Sequence, residues 1–355
     1  VSEAGHSAIV VVQPGLSTTV QDAGRHGWQR FGVPVSGALD RVALAAANTV
    51  VGNSPGEAGL ECLYQGCQIE IAGVSARIAV AGAGASIEVH SGDVGGDVGG
   101  SEGGGVRIVL PLESIVLRRG QRARVKMAGP SISAYLAVEG GFAITPALGS
   151  KSTFVRAALG GFHGRALRQG DALPLSAGVA VQREERRLAG VELAPQTVIR
   201  IVPGPQDDHF AEGALAQFAA QSYAVRPASD RMGLRLMGPK LAHKRGADIV
   251  SDGIAPGAIQ VPGDGLPIIM LADRQTTGGY TKIATVASAD LPALGRVGPG
   301  AVLRFEVVDV EAAEAVAQAL AAEIGSWLAR LQAAGNGDWR ARLYEANLIS
   351  GVTDG

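Results

Sequence analysis

Residues 227–283 read PASDRMGLRLMGPKLAHKRGADIVSDGIAPGAIQVPGDGLPIIMLADRQTTGGYTKI, and this stretch decides the fold. It sets Asp230, Arg231, Asp252, Gln260, Asp264, Asp273, Arg274, Gln275, Thr276 and Thr277 among short apolar runs punctuated by glycine and proline. Runs this short, bounded by turn formers, predict strands rather than helices. In such a segment, polar groups at strand ends and turns can meet at one mouth, where half-buried groups must find hydrogen-bond partners. Two readings follow. In one, the mouth takes a small polar ligand; in the other, Asp230 and Asp252 cap turns, Arg231 pairs with a carboxylate, and the TTGG run is a tight turn using glycine's access to positive φ.

Working outward, the whole chain has 355 residues, which predicts about two domains with sizeable cores. Lysine and arginine total 31 against 33 aspartate and glutamate, so no charge footprint for nucleic acid or an anionic membrane is present. With 51 glycines, 17 prolines and 4% aromatic residues, many turns and short strands are expected. Cys62 and Cys67 are the only cysteines, too few for a disulfide framework, and a single C-x4-C pair makes no zinc site. Free thiols in a reducing, cytoplasmic compartment are expected. No apolar run approaches the roughly 20 residues that span a bilayer, and no charged start is followed by an apolar core. A soluble, unexported protein is the expectation.

In chain order, Ile9 to Val12 predicts a strand ended by Pro14 and Gly15, and the glycine-punctuated segment through Gln21, Asp22, Arg25 and Ser36 predicts a structured loop. Asp40, then RVALAAANTVV, then Gly52 predicts a capped helix over Arg41 to Val51. Strands are expected over Gly59 to Ile71 and Ala76 to Val89 and again at 106–110, 114–117, 123–127 and 134–138. Residues 92–105 carry eight glycines in fourteen positions and predict a mobile hairpin insert. A weak repeat relates IVVVQPG at Ile9 to IRIVPG at Ile199, and GDALPL at Gly170 to GAVLRF at Gly300. It predicts two β domains, 8–190 and 195–308, joined near the charged QREERR run. Shorter helices are expected at about Asp208 to Ala220 and Ala289 to Gly295. A helical extension, 310–350, with a second helix from Trp339 to Ile349, is expected to pack on the barrel or on a partner.

Familiar catalytic patterns fail. GSKST at Gly149 lacks the Gly-Lys pair of a phosphate-cradling loop, AGAGAS at Ala81 lacks the third glycine of a dinucleotide fingerprint, and no Gly-x-Ser-x-Gly elbow occurs. The six histidines are scattered without ligand spacing, so no metal site is expected.

Longer strings carry more. PGLSTTVQDAGRHGWQRFGVPVSGALD from Pro14, AANTVVGN, YLAVEGGF at Tyr135, LGSKST, VPGPQDDHF, SDRMGLRLMGP, SDGIAPGAIQVPGDGLPI and DRQTTGGYTKIATV together closely resemble the biotin-dependent carboxyltransferase A/B-subdomain family, over residues 8 to 308. That family includes the C-type subunit of 5-oxoprolinase, allophanate hydrolase subunit 2, an antagonist of a sporulation kinase inhibitor and a portion of urea carboxylase. The resemblance implies a mainly β chain with two cyclophilin-like barrels and a few helices. It also implies partner subunits of the B and A types, homologues of the kinase inhibitor and of lactam-utilisation proteins.

QTTGGY after DRQ is similar to the free-standing C-type subunit, and this favours ATP-dependent opening of 5-oxoproline over urea carboxylation. The chain has neither a biotin-carrier Met-Lys-Met motif nor a region of ATP-grasp size, so it is expected to be inactive alone. Asp230, Arg231 and Asp252 are the candidate catalytic residues, and Gln260, Gln275, Thr276 and Thr277 the candidate substrate contacts. Gln21, Asp22, Arg25 and Ser36 form a second polar surface for the subunit contact or for the loop itself. Two function classes stay open, the enzyme subunit and a non-catalytic regulator that binds a kinase-inhibitor homologue.

Overall fold

The computed structural model describes residues 7–90 and 106–334; the expected insert at 92–105 and the expected helix from Trp339 lie outside the described residues. The chain is mainly β. Its first half supplies β1 (Ala8–Gln13), β2 (Ser17–Gln21), α1 (Arg41–Val51), β3 (Gly59–Leu63), β4 (Gln68–Ile71), β5 (Ser75–Ala81), β6 (Ala85–His90) and β7 (Val106–Val109). Then come β8 (Ser114–Arg118), β9 (Arg122–Met127), β10 (Ser133–Val138), β11 (Ala172–Pro174) and β12 (Arg186–Leu188).

Two sheets share β1 to β11, in the orders β11-β1-β4-β9-β6-β7 and β2-β3-β10-β5-β8. Alternate side chains of each, such as Ile9, Ile69 and Ile87 against Leu60, Val80 and Leu136, bury in one core, as the two-residue period of a strand requires. The intervening residues of β5 and β10, Ala79, Ala81 and Ala137, are buried on the opposite face under α1. Both faces of these strands are therefore covered, which explains why SARIAVA and SAYLAV are buried at every position. Cys62 and Cys67 are free thiols in the core, with Sγ atoms 3.6 Å apart.

Helix α1 forms where the alanine run and its caps predict it. Asp40 accepts from Val42 N at 3.1 Å and Ala43 N at 3.0 Å, and Gly52 closes the helix in the left-handed region at φ 87°.

The second half supplies β13 (Val198–Pro203), α2 (Ala214–Ala220), β14 (Tyr223–Val225), β15 (Gly233–Met237), β16 (Asp248–Gly253), β17 (Ala258–Gln260), β18 (Ile268–Met270) and β19 (Thr277–Tyr280). It continues with β20 (Lys282–Val286), α3 (Leu291–Leu294) and β21 (Val302–Val307). The helix expected from Asp208 is shorter than its sequence suggests. A 3-10 turn takes Asp207–His209, and α2 starts only after Gly213, whose φ of 73° interrupts the right-handed winding.

Seven strands of this half close a barrel in the order β13-β20-β17-β18-β15-β14-β21, sealed by parallel pairing of β13 with β21. In the first half the strands divide between two sheets instead. β16 and β19 stay outside the barrel as an antiparallel ribbon that pairs Asp252 with Gly278 and Gly253 with Thr277.

The internal repeat has a structural counterpart. IVVVQPG and IRIVPG each form the first strand of their half, and Gly15 and Gly204 follow where a β-carbon would run into the backbone carbonyls of Gln65 and Lys282. A shared close approach of main chains accounts for the glycine at both places.

Beyond the barrel, α4 (Val310–Ser326) leads to Trp327 and β22 (Leu331–Ala333). This segment returns to the first half. β22 pairs with β12, and Trp327, 1% exposed, packs with Leu188 and Leu193 against α1. Among the described residues no helix is long and apolar enough to cross a membrane.

Candidate functional site

Arg231 sits on the seam between the halves. Its Nε donates to Asp273 Oδ2 at 2.8 Å, its Nη2 to Asp273 Oδ1 at 3.2 Å and to the Gly37 carbonyl at 2.7 Å, and its Nη1 bonds Glu61. Glu61 is fully buried in β3, where Tyr135 Oη donates to it at 2.7 Å and the Leu39 amide at 2.9 Å. Tyr135 Oη accepts in turn from the Asp40 amide at 2.8 Å, and Arg296 Nε donates to Asp40 Oδ2 at 2.6 Å. A continuous buried chain, Arg296 to Asp40 to Tyr135 to Glu61 to Arg231 to Asp273, thus crosses twice between the halves. Burial alone would lower the Arg231 pKa; Glu61 and Asp273 outweigh it and hold the pKa raised. Burial first, then the charges of Glu61 and Asp40, push the Tyr135 phenol well above its ordinary value.

Beside this chain lies a cavity of about 330 Å³. Leu39, Leu63, Tyr64 and Ile132 line it from the first half, and Met232, Leu234, Leu271 and Leu294 from the second, with Arg231 and Asp273 at its inner side. Asp230 lies at its exposed edge, 3.5 Å from Arg156, and its Oδ1 accepts from Met232 N at 2.8 Å. Asp230 therefore caps a turn and Arg231 joins two carboxylates, the alternatives left open by residue type.

The polar N-terminal loop is organised around Asp22. That carboxylate accepts from Gly24 N at 2.8 Å, Ser150 Oγ at 2.7 Å and Lys151 N at 2.6 Å, and also bonds the Ser152 hydroxyl. Lys151 Nζ is spent on Glu57 and the Phe142 carbonyl, both at 2.9 Å. The GSKST loop is thus folded about an internal carboxylate. Gln21 Nε2 donates to the Thr153 carbonyl at 3.1 Å, and Arg25 Nη2 donates to the Ser152 carbonyl at 2.5 Å. Ser36, with φ 53°, donates its amide to the Ala272 carbonyl at 3.1 Å, which ties the loop to the turn before Asp273.

The remaining candidates gather under the ribbon. Gln260 and Lys282 are cross-strand partners in β17 and β20. Their neighbours Ile259 and Ile283 point into the barrel core, so these two point outward, and cross-strand partners share a face. On an open barrel wall both would meet solvent. The ribbon covers them, leaving Gln260 2% and Lys282 3% exposed. Lys282 Nζ donates to Asp252 Oδ2 at 3.1 Å, and Asp252 is itself 56% exposed, so the pair runs from a buried ammonium to a surface carboxylate. The bond from Lys282, then one from the Gly253 amide, holds the Asp252 pKa below its ordinary value.

A β-carbon on Gly278 would lie 3.0 Å from Gln260 Nε2 and 2.6 Å from Ile254 Cδ1, so glycine lets the ribbon sit close to the wall. Gln275 is exposed, the Thr276 carbonyl accepts from Ile254 N at 3.0 Å, and Thr277 enters the ribbon ladder.

The structure therefore groups Asp252, Gln260 and Gln275 to Thr277 at the ribbon, Asp230 and Arg231 at the seam, and Gln21, Asp22, Arg25 and Ser36 around the GSKST loop. Sequence reasoning did not single out Glu61, Lys282 or Arg296. A lone acid in GLECL and a lone base in TKIATV, each flanked by apolar residues, were the available signals.

The carboxyltransferase domain, subdomain A and B, matches residues 31–307. The chain is 34% identical over 304 residues to the C-type subunit of the 5-oxoprolinase of Escherichia coli (strain K12), covering 85% of this chain and 92% of that protein. It superposes on the crystal structure of the Kluyveromyces lactis urea carboxylase with a TM-score of 0.79 and 28% identity, over 90% of this chain and 29% of the other. The crystal structure of TTHA0988 gives a TM-score of 0.73 and 32% identity, over 86% of this chain and 56% of that one. The chain thus spans little more than half of TTHA0988 and under a third of the urea carboxylase. With the domain matched across both halves and the seam between them, this chain belongs to the family of the carboxyltransferase domain, subdomains A and B.

Proposed function

We propose that this chain is the C-type subunit of an ATP-dependent 5-oxoprolinase, which hydrolyses 5-oxo-L-proline to L-glutamate together with A and B subunits in the cytoplasm. The observation that carries this reading is the 34% identity that runs over 92% of the E. coli C-type subunit.

The chemistry suits the ribbon site. A lactam presents a planar, resonance-stabilised N–C=O unit, and opening it requires that charge developing on oxygen meet an oriented donor. Lys282 supplies a pre-positioned ammonium for that oxygen, and Asp252 supplies an acceptor for the lactam N–H. Gln275, Thr276 and Thr277 border the same rim. ATP, a substrate of the reaction, supplies the phosphoryl group that makes the lactam oxygen a leaving group for water attack. The loop most like a phosphate cradle, GSKST, gives the Lys151 amide and the hydroxyls of Ser150 and Ser152 to Asp22. Nucleotide handling is therefore assigned to the partner subunits. Arg231, bonded to Glu61, Asp273 and the Gly37 carbonyl, positions the two halves.

Reconstitution with A and B subunits tests this reading. ATP-dependent release of glutamate from 5-oxoproline is expected from the three together and not from this chain alone. Activity on urea with a carboxylated biotin carrier, and none on 5-oxoproline, would instead favour the urea carboxylase relationship.

A further inference from the structure

The cavity on the seam is a space that the two halves enclose and do not fill. Leu63 and Ile132 line it from the first half, and Leu234, Leu271 and Leu294 from the second. Contacts between the halves fix the spacing of these walls. Ile132 N donates to the Arg296 carbonyl at 3.0 Å, Ser36 N donates to the Ala272 carbonyl at 3.1 Å, and Gly298 lies where a β-carbon would run into Ile132. With its walls held in this way the gap does not collapse, and at about 330 Å³ it is far larger than the water-sized voids of a packed interior. It falls instead in the size range of small-molecule sites, roughly 300–1,000 Å³.

Charge decides what fits. The wall carries four charged residues, Arg156, Asp230, Arg231 and Asp273, and they cancel in two pairs. Arg231 Nε donates to Asp273 Oδ2 at 2.8 Å, and Arg156 lies 3.5 Å from Asp230. Glu61, the other partner of Arg231, is fully buried and is not part of the wall. Tyr64 stays a neutral phenol at the rim, because burial and then the charge of Asp230 raise its pKa. A charged ligand would have to break one of these pairs or lie unmatched on apolar surface, whereas a neutral one does neither.

We propose that the seam cavity is a binding site for a neutral, largely apolar small molecule about the size of an indole ring, distinct from the ribbon site. Such a molecule touches both walls at once, and so adds apolar contact across the seam that neither half provides alone.

The test titrates indole into the isolated chain. Saturable binding is expected by isothermal titration calorimetry, with a matching rise in Tm. Indole-3-acetate and tryptamine, which carry the same ring with a negative and a positive charge, are expected to bind several-fold more weakly. Met232→Trp fills the cavity from within, and Val155→Trp adds bulk at a lining position where the native valine is 47% exposed. Each is expected to weaken indole binding on the order of tenfold. Should Met232→Trp fail to fold, Val155→Trp still decides the matter, since its added bulk meets solvent. No saturable binding by the wild type, binding left unchanged by Val155→Trp, or tighter binding of either charged analogue would overturn the proposal. So would loss of indole binding on assembly with the A and B subunits, because the cavity would then be a socket for a side chain of the partner.

Discussion

Arg231 and Arg274 are two largely buried guanidinium groups of the same barrel, and they differ in what surrounds them. Arg231 meets two carboxylates and a carbonyl drawn from both halves of the chain; Arg274 meets two carbonyls from its own half and keeps a buried nitrogen free. The four bonds of Arg231 fasten the two halves to each other. The first arginine therefore ties the two halves together, and the second ties a turn within one half.

The hardest test of that contrast is Arg231→Ala. Removing one partner of a buried network strands Glu61 and Asp273, and a loss of about 3–5 kcal/mol in unfolding free energy is expected by denaturant titration. A variant of wild-type stability that has lost only activity would move Arg231 into the site and break the comparison.

Lys282→Met comes next. It keeps the length and apolar stem of the side chain, so folding is expected to survive, while kcat/KM of the reconstituted enzyme falls by about 2–4 kcal/mol in transition-state terms. Full activity would remove the lysine from the chemistry.

Gly278→Ala sharpens the picture of the ribbon as a roof. Its β-carbon would press on Ile254 and Gln260, and a cost of roughly 1–3 kcal/mol is expected, read as a lower Tm. Unchanged values would mean that the ribbon is not held against the wall.

Asp252→Asn separates the two regions by pH. The Asp252 pKa is depressed by Lys282, so its stabilising contribution is present above the unfolded carboxylate value and fades as pH falls through the folded one. The stability gap between wild type and Asp252→Asn is therefore expected at neutral pH and should close in acid. A gap that persists to low pH would contradict the pairing.

Smallest of all, Arg156→Ala breaks an exposed pair with Asp230 and is expected to cost under about 1 kcal/mol by thermal unfolding.

Local chemistry was the legible part of the fold. Asp40, the alanine run and Gly52 announce α1, and the strands at 106–138 announce themselves by alternation and length, because caps and periodicity act over a few residues. The ribbon and the seam were not legible. β16 pairs with β19 across the intervening β17 and β18, and Glu61 meets Arg231 across 170 residues, distances over which no pattern of residue types fixes a partner. Lys282 lies at an outward position of its strand and reads as a solvent-facing lysine until the ribbon is known to cover it. For the same reason the partners of Arg231, Glu61 and Asp273, could not be read from the sequence around it.

The return of the chain after the barrel bears on the order in which the protein can be made. The sheet-facing side of α1 is covered as soon as the first half folds, but part of its cover comes from Trp327, and β12, bridged to Glu113 by Arg187 alone, gains its full ladder from Leu331–Ala333. During synthesis the first half must therefore wait, with an apolar flank exposed, until the barrel has emerged and the strap behind it has closed. Chains halted shortly before Trp327 are expected to be substrates for chaperones or proteases even though every strand of both halves is already present.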